Sequence, residues 1–116
     1  MRERRKFIRL RAPIGVSYRH IKKGKRQRPQ LTLIKDISGG GLCLLAKEEL
    51  RAGDLLDIEI QIPHLSEPVR VVGEVAWYVP ERGKGREDAE AGVRFRDVEP
   101  KDLHSIFEYV YTIGIG

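Results

Sequence analysis

Apolar and polar residues alternate with a period of two along most of the chain, the mark of strands with one face buried. The clearest case is Leu55 to Ile62. Leu56, Ile58, Ile60 and Ile62 face one way and Asp57, Glu59 and Gln61 the other, until Pro63 stops the run. A first strand is predicted over about Ile14 to His20, with Ile14, Val16 and Tyr18 set against Gly15, Ser17 and Arg19. A second covers about Gln30 to Ile37 and a third Leu42 to Ala46. The fifth is predicted over Val69 to Val79, with Val69, Val71, Val75, Trp77 and Val79 on one side and Arg70, Glu74 and Tyr78 on the other. Gly73 falls on the inward set, where it permits the bend a small barrel needs. The sixth, Glu90 to Arg96, turns Ala91, Val93 and Phe95 inward.

Between these runs the chain is punctuated. Lys22 to Pro29 reads as a solvated basic loop, and Lys47 to Asp54 as a turn in which Gly53 takes a positive φ. Pro80 to Asp88 is a polar loop. After the last strand the period changes. Pro100 opens a helix at its favoured first position. Leu103, Ile106, Phe107 and Val110 form one stripe that docks on the sheet, and Gly114 and Gly116 end the helix. Six short strands and one late helix predict an all-β fold, a closed antiparallel barrel with a C-terminal helix.

Length and composition narrow this further. A chain of 116 residues suits one core. With 34% charged and 41% hydrophobic residues it is expected to be globular and soluble. No apolar run is long enough to span a membrane and no secretory h-region is present, so a cytoplasmic location is expected. The single cysteine, Cys43, excludes an internal disulfide and sits in an apolar strand as a small buried hydrophobe. The net charge of +5 is uneven. Residues 2–28 hold twelve Lys or Arg and one acid, Glu3, for a net +11, which leaves −6 for the rest. A positive field confined to the first quarter draws an anion there. Residues 1–12 form an arginine-rich arm and 13–116 the barrel and helix. Dense like charge, terminal position and few apolar residues predict that residues 1–11 are loosely held until a ligand neutralises them.

Two stretches carry candidate chemistry. In Asp36-Ile37-Ser38-Gly39-Gly40-Gly41 a carboxylate, a hydroxyl and glycine amides converge between two strands. A plain hairpin turn uses the same residue types. The second stretch is Arg4-Arg5-Lys6-Phe7-Ile8-Arg9. Arg5 and Arg9 fall on one side of the chain whether it is extended or helical. Two guanidinium forks suit a pair of phosphates, or a phosphate and a guanine Hoogsteen edge. A carboxylate such as Asp36 accepts from N1–H and N2–H of guanine. Together these residues describe a site for a guanine nucleotide.

On these residues the chain resembles the PilZ domain family. Arg5-Lys6-Phe7-Ile8-Arg9 matches its RxxxR motif, and Asp36-Ile37-Ser38-Gly39-Gly40-Gly41 matches its (D/N)xSxxG motif. Arg4 supplies the extra leading arginine, and Ala91-Gly92-Val93-Arg94-Phe95 before the helix also fits. The resemblance covers almost the whole chain. It implies a six-stranded barrel that binds the bacterial second messenger cyclic di-GMP and changes its surface to signal to an effector protein. Arg5 and Arg9 would hold phosphate and guanine with Arg4 in support. Asp36 and Ser38 would bond guanine or its ribose-phosphate, with Gly40 and Gly41 letting the backbone approach. Trp77, the only tryptophan, is predicted to lie in the core or at the barrel rim, where it could also stack on a guanine.

Other chemistry is missing. His20, His64 and His104 are scattered, lack metal-ligand spacing and read as surface residues. No nucleophile–base signature is visible, and the glycine stretch lacks the Gly-Lys-Ser/Thr end of a Walker loop. No metal, no cofactor, no catalytic residue and no enzyme activity are expected, nor binding to nucleic acid or insertion in a membrane. Two alternatives stand beside the leading one. A small basic barrel could bind RNA or single-stranded DNA, although only Phe7 and Tyr18 interleave the basic segments. A PilZ-like interaction module could have lost its nucleotide, against which the two intact motifs argue.

Overall fold

The computed structural model describes residues 10–22, 27–80 and 89–115. It contains six strands, β1 (Leu10–His20), β2 (Gln30–Ile37), β3 (Gly41–Leu45), β4 (Leu55–Ile60), β5 (Val69–Val79) and β6 (Glu90–Val98), and one helix, α1 (Pro100–Ile115). All neighbouring strands are antiparallel, in the closed order β1-β2-β3-β6-β5-β4. Closure follows from the alternation. Each strand offers one apolar face, and the barrel brings these faces together while leaving no long sheet edge unpaired. Tyr18, Ile34, Ile37, Leu44, Leu56, Ile58, Ile60, Val71, Val75 and Ala91 fill the interior.

Polar bonds pin the barrel where the core cannot. The Tyr18 hydroxyl is buried among aliphatic side chains and accepts from the Lys47 amide at 2.9 Å. Burial is the main reason its acidity falls, so its pKa lies above the ordinary tyrosine value. Thr32 Oγ1 donates to the Leu45 carbonyl across β2 and β3 at 2.8 Å. Gly53 has φ 97° and closes the turn before β4 as expected. On α1, Ile106 and Val110 are fully buried and Leu103 and Phe107 half-buried, against β5 and β1. The Glu99 carbonyl accepts from the Asp102 and Leu103 amides to start the helix. The helix runs through Gly114 rather than ending before it.

Several expectations are corrected. β1 begins at Leu10, not near Ile14, because Leu10 and Arg11 ladder with Ile37 and Asp36. Residues 10 and 11 are therefore paired in the free protein, against the expected loose arm. The ladder slips between Arg11 and Ile14, which accommodates Pro13, a residue without an N–H to donate. β6 continues to Val98, and β4 ends at Ile60. In β5 the alternation reverses. An irregularity between Val75 and Trp77 inserts Ala76, so Trp77 and Val79 point outward and Tyr78 packs on the core. Finally, His20 is not a surface residue: it is largely buried and lies 3.5 Å from Asp54, whereas His64 and His104 are exposed.

Candidate ligand-binding site

The glycine stretch becomes a tight connection between β2 and β3. The Ser38 amide donates to the Gly41 carbonyl at 2.9 Å, and Ser38 Oγ donates to the same oxygen at 3.3 Å. Ser38 Oγ in turn accepts from the Gly40 amide at 3.2 Å. Gly40 is tied to the next strand, its carbonyl accepting from the Phe95 amide at 3.0 Å. The serine thus sets the turn, and β6 holds it still.

Two of the glycines, Gly39 and Gly41, are explained by crowding. None of the three has a positive φ. A methyl group on Gly39 would overlap the Phe107 ring of α1, and one on Gly41 would overlap the Val93 carbonyl of β6. Gly41 therefore permits close strand approach. Gly39 seats the helix on the turn.

From this turn a row of residues crosses the outer face of four strands. Asp36 pairs with Cys43, Cys43 with Gly92, and Gly92 with Trp77. Directly paired residues project to the same side of a sheet. The slip in the β2–β3 ladder between Ile34 and Asp36 keeps both Lys35 and Asp36 on the outside while Ile34 and Ile37 stay in the core. At about 4.8 Å per strand, the row from Asp36 to Trp77 spans roughly 14 Å. The Trp77 indole lies across Gly92, where a side chain would collide with it. Trp77 is still 44% exposed, so the ring offers its outer face to solvent.

Charge surrounds this floor. Lys35 Nζ bonds Glu90 Oε2 at 2.8 Å, and this bond raises the lysine pKa. Cys43 is buried although it lies on the outer face. Burial first, then the Asp36 and Glu90 carboxylates, push its thiol up to about 12. One rung towards the turn, Gly41 pairs with Arg94 and Arg94 with Glu74. Arg94 is exposed on the same outer face. Sequence reasoning missed it, although the inward set Ala91, Val93 and Phe95 already placed Arg94 outside.

The structure brings Asp36, Ser38, Gly40, Gly41 and Trp77 to one side of the barrel. Arg4, Arg5 and Arg9 lie outside the described residues. The chain enters β1 at Leu10, opposite Ile37, one residue from Ser38. Among the described residues no group of His, Cys, Asp and Glu could hold a metal ion. None of their helices is long and apolar enough to cross a membrane. A separate cleft of about 450 Å³ lies between the start of β5, the end of β6 and the start of α1; it is lined by Asp57, Arg70, Asp97 and Asp102 and holds none of the expected site residues.

A family model described as PilZ domain matches residues 3–112. A search of curated proteins finds no significant match. Solved structures are similar in fold. The inhibitor of motility MotI/DgrA of Bacillus subtilis is 18% identical with a TM-score of 0.78, over 98% of this chain and 52% of that one. The PilZ domain of YcgR from Escherichia coli, solved with c-di-GMP, is 17% identical with a TM-score of 0.72, over 97% and 93%. The MrkH–c-di-GMP complex of K. pneumonia is 18% identical with a TM-score of 0.72, over 99% and 53%. MrkH is also described as a c-di-GMP dependence transcription regulatory factor. The chain thus spans about half the length of MotI and MrkH and nearly all of the YcgR domain.

Proposed function

Since the chain belongs to the PilZ domain family, we propose that it is a cytoplasmic receptor for cyclic di-GMP that passes ligand occupancy to an effector protein, without catalysing a reaction. The observation that carries this reading is the outer-face row from Asp36 to Trp77 beside the Ser38–Gly41 turn. The Asp36 carboxylate accepts from N1–H and N2–H of a guanine. The exposed face of Trp77 takes a base by stacking, worth roughly 1–3 kcal/mol. Arg5 and Arg9, with Arg4 in support, supply the forked donors that phosphates and guanine edges need. The residues before Leu10 act as a ligand-binding arm joined to the barrel at β1. Ordering of the residues before Leu10 on the ligand would present a new surface to the effector.

Calorimetric titration tests this. Cyclic di-GMP binds, and cyclic di-AMP binds at least about a hundredfold more weakly, because adenine N1 is an acceptor where Asp36 needs a donor. Equal affinity for the two overturns the assignment. A second reading, contact with RNA or DNA, is favoured by the concentrated positive charge of residues 2–28 and by the description of MrkH. Salt separates the two. A ligand with two phosphates loses affinity gently, whereas a nucleic-acid site with about six to ten phosphate contacts loses it steeply.

A further inference from the structure

The outer face of β1, β2 and β4, next to the ligand row, carries apolar side chains that no described element covers. Leu31 is 77% exposed and Leu33 46% exposed, both in the first half of β2. Beside them on β1 stand Gly15 and Ser17, their direct cross-strand partners: Leu31 opposite Ser17 and Leu33 opposite Gly15. A side chain added at Gly15 would meet nothing within 4 Å. β4 forms the far wall, with Glu59 opposite Ser17 and the Gln61 amide bonded to the Gly15 carbonyl at 3.0 Å. The result is an open slot of about 360 Å³, floored by Gly15 and Ser17 and walled by Leu31, Glu59 and Gln61. A ridge and an empty slot therefore run side by side, in register, on the same face.

We propose that this face binds a second copy of the same chain. A two-fold axis parallel to the strands, lying in the contact plane between β1 and β2, exchanges the two strands while keeping each residue at its level. Leu31 of each copy then lies on Ser17 of the other, and Leu33 on Gly15, so each ridge fills the facing slot. A self-complementary patch of this kind is what an isologous dimer requires. The flanks agree in charge. The same rotation carries the β4 wall, with Glu59, over the end of β3, where Lys47 is exposed. Glu59 also pairs with Arg70 at 2.9 Å, and its side chain keeps 34% of its surface open. Association through so few apolar side chains is expected in the range of tens of micromolar, at about −6 kcal/mol by the standard conversion.

Sedimentation equilibrium of the full chain without nucleotide, up to about 300 micromolar, tests the proposal. The wild type shifts from monomer to dimer over this range. Leu31→Glu removes the ridge and places a charge in it; Gly15→Gln fills the slot at an exposed position with free space. Both stay monomeric, with melting temperatures close to wild type, which excludes misfolding as the cause. Glu59→Lys weakens the dimer, and adding Lys47→Glu restores it. A wild type that remains monomeric throughout overturns the proposal and leaves the face to a different protein. A dimer that persists in both folded variants overturns it equally.

Discussion

Cys43 shows how much a single side chain is governed by its neighbours. It projects to the outer face, yet it is buried, and its thiol is pushed up to about 12. The thiolate is the reactive form. At pH 8 its population is expected to be roughly a thousandfold lower than that of an ordinary thiol, so a thiol reagent should label native protein far more slowly than denatured protein. Rapid native labelling would contradict the burial. The stability effect has a definite sign. A thiol whose folded pKa is raised contributes stability that is fully present below its unfolded value and is lost as pH rises towards the folded one. The Cys43 contribution should therefore fade between about pH 8.5 and 12, and Cys43→Ala should flatten that part of the stability profile. Arg94 makes the complementary point. Its exposed guanidinium, one rung from Cys43 and Gly92, is expected to help hold the anionic ligand, so Arg94→Ala should weaken cyclic di-GMP binding several-fold, by about 1–2 kcal/mol, and leave the melting temperature unchanged. The burial of Cys43 was legible in the sequence, because an apolar run surrounds it. The outward turn of Trp77 was not, because one inserted residue, Ala76, reverses the parity on which such reasoning depends.

Among the elements, the glycine turn carries the most consequence. Sequence reasoning found its residues and its place between two strands, but not why Gly39 and Gly41 are crowded into being glycine. That reason lies in contacts made by distant parts of the chain: the Phe107 ring over Gly39 and the Val93 carbonyl beside Gly41. Such contacts leave no local trace. Phe107 also stacks with Tyr111 at 6.0 Å between ring centroids, so the ring over the turn is itself supported by α1. Gly39→Ala should destabilise the protein by about 1–3 kcal/mol through overpacking. The double variant Gly39→Ala/Phe107→Ala should lose less than the two single losses together, because removing the ring makes room for the methyl group. Urea unfolding of the four proteins measures this. Strict additivity would mean that the ring and the turn do not press on one another. The bond from Lys47 to the Tyr18 hydroxyl can be checked in the same way, with Tyr18→Phe expected to cost about 0.5–1.5 kcal/mol. The bounds of β2 and β5 were readable to the residue. Those of β1 were not, since its first rungs are held by backbone pairing to Ile37 and Asp36 and not by an apolar pattern.

At the scale of the molecule, the barrel brings together residues that are far apart in sequence. Asp36 and Trp77 share an outer face only because β3 and β6 are neighbours and close the sheet between β2 and β5. The alternation of the strands predicted the closed barrel, but not which strand would lie beside which, and so not the row. The chain enters β1 at Leu10, opposite Ile37 and beside the turn, so β1 starts at the Asp36 end of the barrel, whereas Tyr18 pairs with Gln30 at the other end, where Lys22 and Arg28 lie. Amide hydrogen exchange with and without saturating cyclic di-GMP tests this placement most directly. Exchange should slow at Asp36 to Gly41, at Gly92 to Arg94, around Trp77 and in the residues before Leu10, while β4 from Leu55 to Ile60 stays unchanged. Protection centred on the cleft beside Arg70 and Asp102, with none at Asp36 to Gly41, would contradict the site.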